Sequence, residues 1–179
     1  MSFLIFSCSL NPNSRSRVLA RAAQTRLEAA GVDVEFVDLQ NCPLPLCDGA
    51  SAYGDPLVAE LSRKIADAEG VLIAVPIYNF AVNAAAKNLI ELTGNAWREK
   101  IVGFLCSAGS TISFTSVMTF ANSLMLDFRS VIVPRFVYAT EADIDGGRII
   151  DPRLHERIEE VTSTLIRFAR ALNPVPHDS

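Results

Sequence analysis

The chain has 179 residues, half of them hydrophobic and 20% charged, with a formal net charge of −4. That balance excludes a disordered or fibrous chain and suits one domain with a core of ordinary size. It leaves no basic surplus to bind nucleic acid or an anionic membrane, and no apolar run is long enough to span a bilayer. Residues 1–7 carry no basic region, so no signal peptide is expected and the cytoplasm is the expected address.

Residues 3–8 read as a first strand and residues 9–14 as a polar turn. Val18, Leu19, Ala22, Ala23, Leu27 and Ala30 recur at helical spacing until Gly31. Residues 32–39 alternate, as a less buried strand does. Residues 41–56, with Pro43, Pro45, Gly49 and Gly54, form a loop of a length that usually serves function. A helix over 57–68 leads to an apolar strand over 71–75, typical of the middle of a parallel sheet. A turn over 76–82 and a helix over 83–92, stopped by Gly94, come next.

The strand over 101–106 is again apolar. A small-residue turn over 107–113, a helix over 114–126 and a strand over 131–138 follow. Residues 140–148 hold Gly146-Gly147 and read as a surface loop. The last helix has Asp151 as N-cap and Pro152 at its first position. Its stripe is Leu154, Ile158, Val161, Leu165, Ala169 and Leu172, and Pro174 and Pro176 end it. Residues 173–179 are expected to be a flexible tail on a single domain over 1–179.

Strict alternation of strands and helices predicts a parallel sheet covered on both faces. Five such units fit an α/β three-layer sandwich of the flavodoxin-like kind, a five-stranded parallel sheet of order 2-1-3-4-5. In such sheets ligands bind at the carboxyl ends of the strands. The turns after the first, third and fourth strands are therefore the candidate site.

The first of these turns carries Ser9, Asn11, Ser14, Arg15 and Ser16 at a helix N-terminus. Hydroxyls, amides and the helix dipole suit an anion such as a terminal phosphate, and capping alone needs only one or two of them. The second turn, Pro76, Ile77, Tyr78, Asn79 and Phe80, offers a flat apolar shelf with backbone donors, fit for an aromatic ring system. The third, Ser107, Ala108, Gly109 and Ser110, lets a ligand approach the backbone closely. No G-x-G-x-x-G or P-loop motif occurs, which disfavours a dinucleotide Rossmann site or an NTPase.

The chain has two histidines, His155 and His177, too few for a histidine metal site or a Ser-His-Asp triad. Cys8 and Cys106 lie in apolar strands and read as inert core thiols. Cys42 and Cys47 share a loop, where a reversible disulfide is an open alternative. No metal site is expected, and the chemistry is expected from a bound cofactor rather than from a catalytic side chain.

Three segments, the 9–16 turn, the Pro76-Ile77-Tyr78-Asn79 turn with Lys87-Asn88, and Leu44-Pro45-Leu46-Cys47-Asp48, resemble the NADPH-dependent FMN reductase family. The resemblance implies a flavodoxin-like fold and bound FMN, with NAD(P)H as co-substrate. It implies that Ser9, Asn11, Ser14 and Ser16 hold the FMN phosphate, that Pro76, Ile77, Tyr78 and Asn79 line the isoalloxazine, and that Ser107, Ala108, Gly109 and Ser110 close its other edge. Family members often carry Arg at the position of Asn11 and two glycines in the third turn.

The expected reaction is ping-pong: hydride from NAD(P)H to FMN, then electrons to a small acceptor such as a flavin or quinone. Backbone N–H groups near Asn79 and Gly109 are expected to stabilise charge on the reduced ring. The loop around Leu46 and Asp48 is a candidate cover for the entrance. Arg15 or Arg17 is a candidate for the extra phosphate of NADPH, against the alternative of a solvated helix arginine. A flavodoxin-type electron carrier and a non-catalytic domain that lost its flavin remain open alternatives. Phe120, Leu124, Met125, Leu126 and Phe128 exceed one helix stripe and suggest a subunit contact, against the alternative of core at the junction with the last strand; Trp97 is a candidate for that contact or for cover of the sheet edge. The resemblance implies a homodimer or homotetramer.

Overall fold

The computed structural model describes residues 2–172, so the expected tail lies outside the described residues. The elements, in chain order, are β1 (Ser2–Ser7), α1 (Arg15–Ala29), β2 (Asp33–Asp38), α2 (Pro56–Asp67), β3 (Gly70–Tyr78), β4 (Ala81–Val82) and α3 (Ala84–Thr93). They continue with β5 (Ile101–Ser107), α4 (Met118–Phe128), β6 (Val131–Ile132), β7 (Val137–Ala139), β8 (Ile144–Asp145), β9 (Arg148–Ile149) and α5 (Pro152–Leu172).

The main sheet runs β2-β1-β3-β5 in parallel, and β6 and β7 share its fifth position by both pairing with β5. The order is the expected 2-1-3-4-5, with the last strand broken. Pro134 has no N–H for the β5 ladder, and Arg135 takes a left-handed φ of 61°, so residues 131–138 cannot pair as one strand.

Alternation along each strand builds two cores. Leu4, Phe6, Val71, Ile73, Val75, Val102 and Phe104 face α2, α3 and α4. Phe3, Ile5, Leu72, Ala74, Ile101 and Leu105 face α1 and α5. This is the expected three-layer sandwich, flavodoxin-like in its strand order.

Gly103 sits where β5 is pressed hardest. A Cβ there would lie 2.7 Å from Leu72 Cδ2 and 3.4 Å from Val161 Cγ1. Gly103→Ala should therefore destabilise the protein by about 1–3 kcal/mol through overpacking, read as a lower denaturation midpoint in urea at an unchanged m-value. An alanine as stable as the parent would contradict this packing.

Several expected boundaries shift. The helix expected from 114 begins at Met118. Phe114 is drawn out of it, with its ring 5.0 Å from Phe136 and 5.3 Å from Tyr138. Residues 140–148 are not a plain loop: Ile144 and Ile149 pair across a Gly146-Gly147 turn with φ of 50° and 75°, and Ile144 is buried against the α1–α5 core. Two glycines between branched residues are a hairpin signal.

Trp97 is fully buried and contributes to no surface contact. Its Nε1 donates to Thr93 Oγ1 at 2.8 Å and its ring lies 6.1 Å from Phe6. On α4, Phe120 and Leu124 enter the core, while Met125 and Leu126 face outward. The Asp151 cap is present, with the Arg153 N–H donating to Oδ1 at 2.9 Å. All four cysteines are free thiols. Burial pushes the Cys8 and Cys106 thiols far up.

Candidate active site

β1, β3 and β5 end side by side, so the three turns that follow them meet. Between them lies a cleft of about 530 Å³, lined by Ser9, Asn11, Asn13, Ser14 and Arg15, by Pro76, Ile77 and Tyr78, and by Ser107, Ala108 and Gly109. Ser16, Asn79, Phe80 and Ser110 do not line it, and Asn13, a second amide of the first turn, does.

The first turn is held by its own side chains. Ser9 Oγ accepts from the Asn11 N–H at 3.3 Å, and Asn11 Oδ1 accepts from the Asn13 N–H at 2.9 Å. Ser14 caps α1 by accepting from the Arg17 N–H at 3.2 Å. Ser16 is fully buried behind it, with its Oγ 2.9 Å from Ser14 Oγ. With Ser16 as donor, Ser14 accepts two bonds and its own proton is left for the cleft. Ser16 itself is 0% exposed and stands behind the cleft wall, in contact with Ser14.

Arg17 builds the turn. Its Nη1 donates to the carbonyls of Asn11 at 2.9 Å and Pro12 at 3.0 Å, and its Nη2 to that of Ser9 at 3.2 Å. Nε lies 2.5 Å from Asp38 Oδ2, Nη2 lies 3.1 Å from Asp38 Oδ1, and Gln40 Oε1 accepts from Nη2 at 2.8 Å. The side chain is only 16% exposed. Arg17 is therefore neither solvated nor available to a dinucleotide, which corrects both expectations for it. Arg15 stands at the rim, paired with Glu141.

The second segment is not a turn over 76–82. Pro76, Ile77 and Tyr78 extend β3, and Ile77 and Tyr78 pair antiparallel with Val82 and Ala81. Asn79 and Phe80 form the two-residue connection, with φ of 50° and 61°, the backbone of a type I′ hairpin turn. Asn tolerates that region; Phe does so at a cost of about 1–3 kcal/mol. Phe80 is 63% exposed, so no packing offsets it. Phe80→Gly should raise stability by about 1 kcal/mol, measured by thermal denaturation; an unchanged or lower midpoint would show the turn unstrained.

Asn83 joins the first two turns. Its Nδ2 donates to the Cys8 carbonyl at 2.7 Å and its backbone N–H to the Pro76 carbonyl at 3.2 Å. Its Oδ1 is buried without a partner among the described residues.

The third turn is braced from behind. The Tyr138 hydroxyl donates to the Ser110 carbonyl at 2.7 Å and accepts from Ser113 Oγ at 2.8 Å. Ser107 and Ala108 are buried, while Gly109 opens to the cleft.

The loop around Leu46 and Asp48 does not cover this cleft. Asn88 Oδ1 accepts from the Cys47 N–H at 2.8 Å and Asn88 Nδ2 donates to the Pro45 carbonyl at 2.9 Å, which fastens the loop to α3. Asp48 is occupied with Ser51 Oγ and the amides of Ala50 and Ala52, which hold its carboxyl down at about 2.

The family model described as NADPH-dependent FMN reductase matches residues 1–143. The chain belongs to this family. Among its relatives, FMN reductase (NADPH) of Pseudomonas aeruginosa is 30% identical over 81% of this chain and 80% of its own. NADPH:quinone oxidoreductase of Arabidopsis thaliana is 27% identical over 93% of this chain and 90% of its own. Among solved structures, the flavoenzyme NAD(P)H:(acceptor) oxidoreductase FerB of Paracoccus denitrificans superposes with a TM-score of 0.77 at 19% identity, covering 95% of this chain and 97% of its own.

The cleft's donor set fits FMN. The first turn offers hydroxyl protons and the open N-terminal amides of α1 to a phosphate ester. Among the described residues, Arg15 is the one cation in the cleft's lining. The ends of β3 and β5 offer apolar walls, and Gly109, without a side chain, leaves backbone bare toward the cleft.

Proposed function

We propose that this FMN reductase family member is an NAD(P)H oxidoreductase that works from the cleft at the ends of β1, β3 and β5. The observation that carries the reading is the meeting of the hydroxyl turn, the proline–tyrosine strand end and the small-residue turn in one cavity. Bound there, FMN supplies the redox chemistry, taking hydride from NAD(P)H and handing electrons to a small acceptor such as a flavin or quinone.

The chain's own residues bind and orient. Ser9, Asn11, Ser14 and the N-terminus of α1 hold the phosphate, with Ser16 aligning Ser14. Pro76, Ile77 and Tyr78 carry the ring system, and the Gly109 backbone closes its far edge. Preorganised backbone N–H groups there favour negative charge. Asn79 and Phe80 sit at the hairpin tip, outside the cleft lining. Use of this one cleft by donor and acceptor in turn fits a ping-pong scheme.

Tyr78, Phe80, Ile112, Phe114, Met118 and Leu126 are exposed apolar side chains around this end of the molecule and on α4. Surplus apolar surface of this kind fits association into a homodimer or homotetramer. Among the described residues no helix is long and apolar enough to cross a membrane. A cytoplasmic address fits four free thiols.

The test is anaerobic. Protein loaded with FMN is mixed with NADPH or NADH in a stopped-flow instrument. Bleaching of the flavin absorbance, followed by its return on adding a quinone, is expected. Failure of both nicotinamides to bleach it would leave an electron carrier or a binding domain as the answer.

A further inference from the structure

A groove of about 990 Å³ runs beside the cleft rather than in it. It begins at Asn13, Ser14 and Arg15, which it shares with the cleft, follows Arg21 and Thr25 along α1, and passes under the β8–β9 hairpin to His155. Four arginines line it against two carboxylates, on a chain whose net charge is −4. Such a local excess of positive charge attracts anions.

The arginines are not equivalent. Arg15 is paired with Glu141, and Arg17 is spent on Asp38 and three carbonyls. Arg21 bonds only the neutral Gln24 side chain, at 2.8 Å, and its guanidinium carbon sits over the Phe36 ring, 3.6 Å from the centroid. Arg148, the first residue of β9, has no hydrogen-bond or ion-pair partner for its side chain among the described residues. Neither guanidinium is ion-paired, although Asp145 stands across the hairpin from Arg148. Val18, Ala22 and Ile149 give it an apolar floor.

We propose that this groove takes the adenosine 2′-phosphate end of NADPH, with Arg21 and Arg148 binding the phosphate and the apolar floor carrying the adenosine. The proposal rests on the reading that FMN occupies the cleft. A dinucleotide that places its nicotinamide on the Pro76–Tyr78 strand end must send its other end away from that shelf, and the groove opens from the cleft's phosphate wall. Arginine is the side chain best suited to a terminal phosphate. NADH has a neutral 2′-hydroxyl in place of that phosphate, so these two side chains set the coenzyme preference.

The test uses the FMN-loaded protein and two fragments, 2′,5′-ADP and 5′-AMP, titrated by calorimetry. The wild type should bind 2′,5′-ADP at least about tenfold more tightly. Arg148→Ala and Arg21→Gln should each lower that advantage about tenfold and shift the NADPH-to-NADH ratio of kcat/KM in the same direction, with Arg148→Lys recovering part of it. Equal binding of the two fragments by the wild type, or variants that keep both ratios, would overturn the proposal while FMN binding stood. A wild type that binds no FMN would overturn the cleft reading and this one with it.

Discussion

Arg17→Met should lower stability by about 3 kcal/mol and weaken FMN binding by at least tenfold. The guanidinium and the Asp38 carboxylate are 16% and 12% exposed. Removing one partner leaves the other largely buried and unpaired, which costs about 3–5 kcal/mol for a fully buried pair. The carbonyls of Ser9, Asn11 and Pro12 lose their common donor at the same stroke, so the turn that presents Ser9 and Ser14 loosens. Urea denaturation and FMN fluorescence titration measure the two effects. Asp38→Asn should reproduce the trend more weakly, and the double variant should fall short of the sum, since the two side chains act as one unit. A soluble Arg17→Met protein of parental stability and affinity would mean that the turn stands without its arginine.

Asn83→Asp should be the next most damaging single change, at about 3 kcal/mol near neutral pH. It replaces the amide that donates to the Cys8 carbonyl with a buried carboxylate facing that carbonyl. Asn83→Ala should cost only about 1 kcal/mol, because it also removes the partnerless Oδ1. Burial raises the new carboxyl in the folded state, so the variant is penalised less where that group is protonated. Its deficit should shrink as pH falls and be fully restored as pH rises through the raised value. A deficit independent of pH would point to lost packing instead of a buried charge. Both variants should also weaken FMN binding, because Asn83 sets the first turn against the Pro76 strand end.

The fold was legible because its signals are long and redundant. Apolar strands such as 71–75 and 101–106 alternate with helices whose stripes are unambiguous, and Gly31, Gly94 and Pro152 punctuate them. What escaped was decided by contacts distant in sequence. The break in the last strand followed from Pro134, visible in the chain, but the left-handed Arg135 was not. The Gly146-Gly147 pair carried a hairpin signal that is easily read as a loop.

At the site, the turns were readable and the division of labour within them was not. Ser9, Asn11 and Ser14 reach the cleft, whereas Ser16 is turned inward by the helical geometry of α1 and lies buried against Ser14. Arg17 differs from Arg15 by two positions, which on a helix places them on different sides. One closes on Asp38 at the end of β2, the other on Glu141. No local pattern reveals which, since both carboxylates come from elsewhere in the chain. Asn83 stood in a run of small residues and showed its role only when Cys8 and Pro76 came beside it.

The central claim is that FMN occupies the cleft where the three turns meet. A crystal structure of the protein grown with saturating FMN tests it most directly. The account predicts flavin density there, with the phosphate bonded to Ser9, Ser14 and the first amides of α1, and the ring against Pro76–Tyr78 with Gly109 opposite. Density for the flavin in another cavity, or a cleft holding solvent alone, would contradict it.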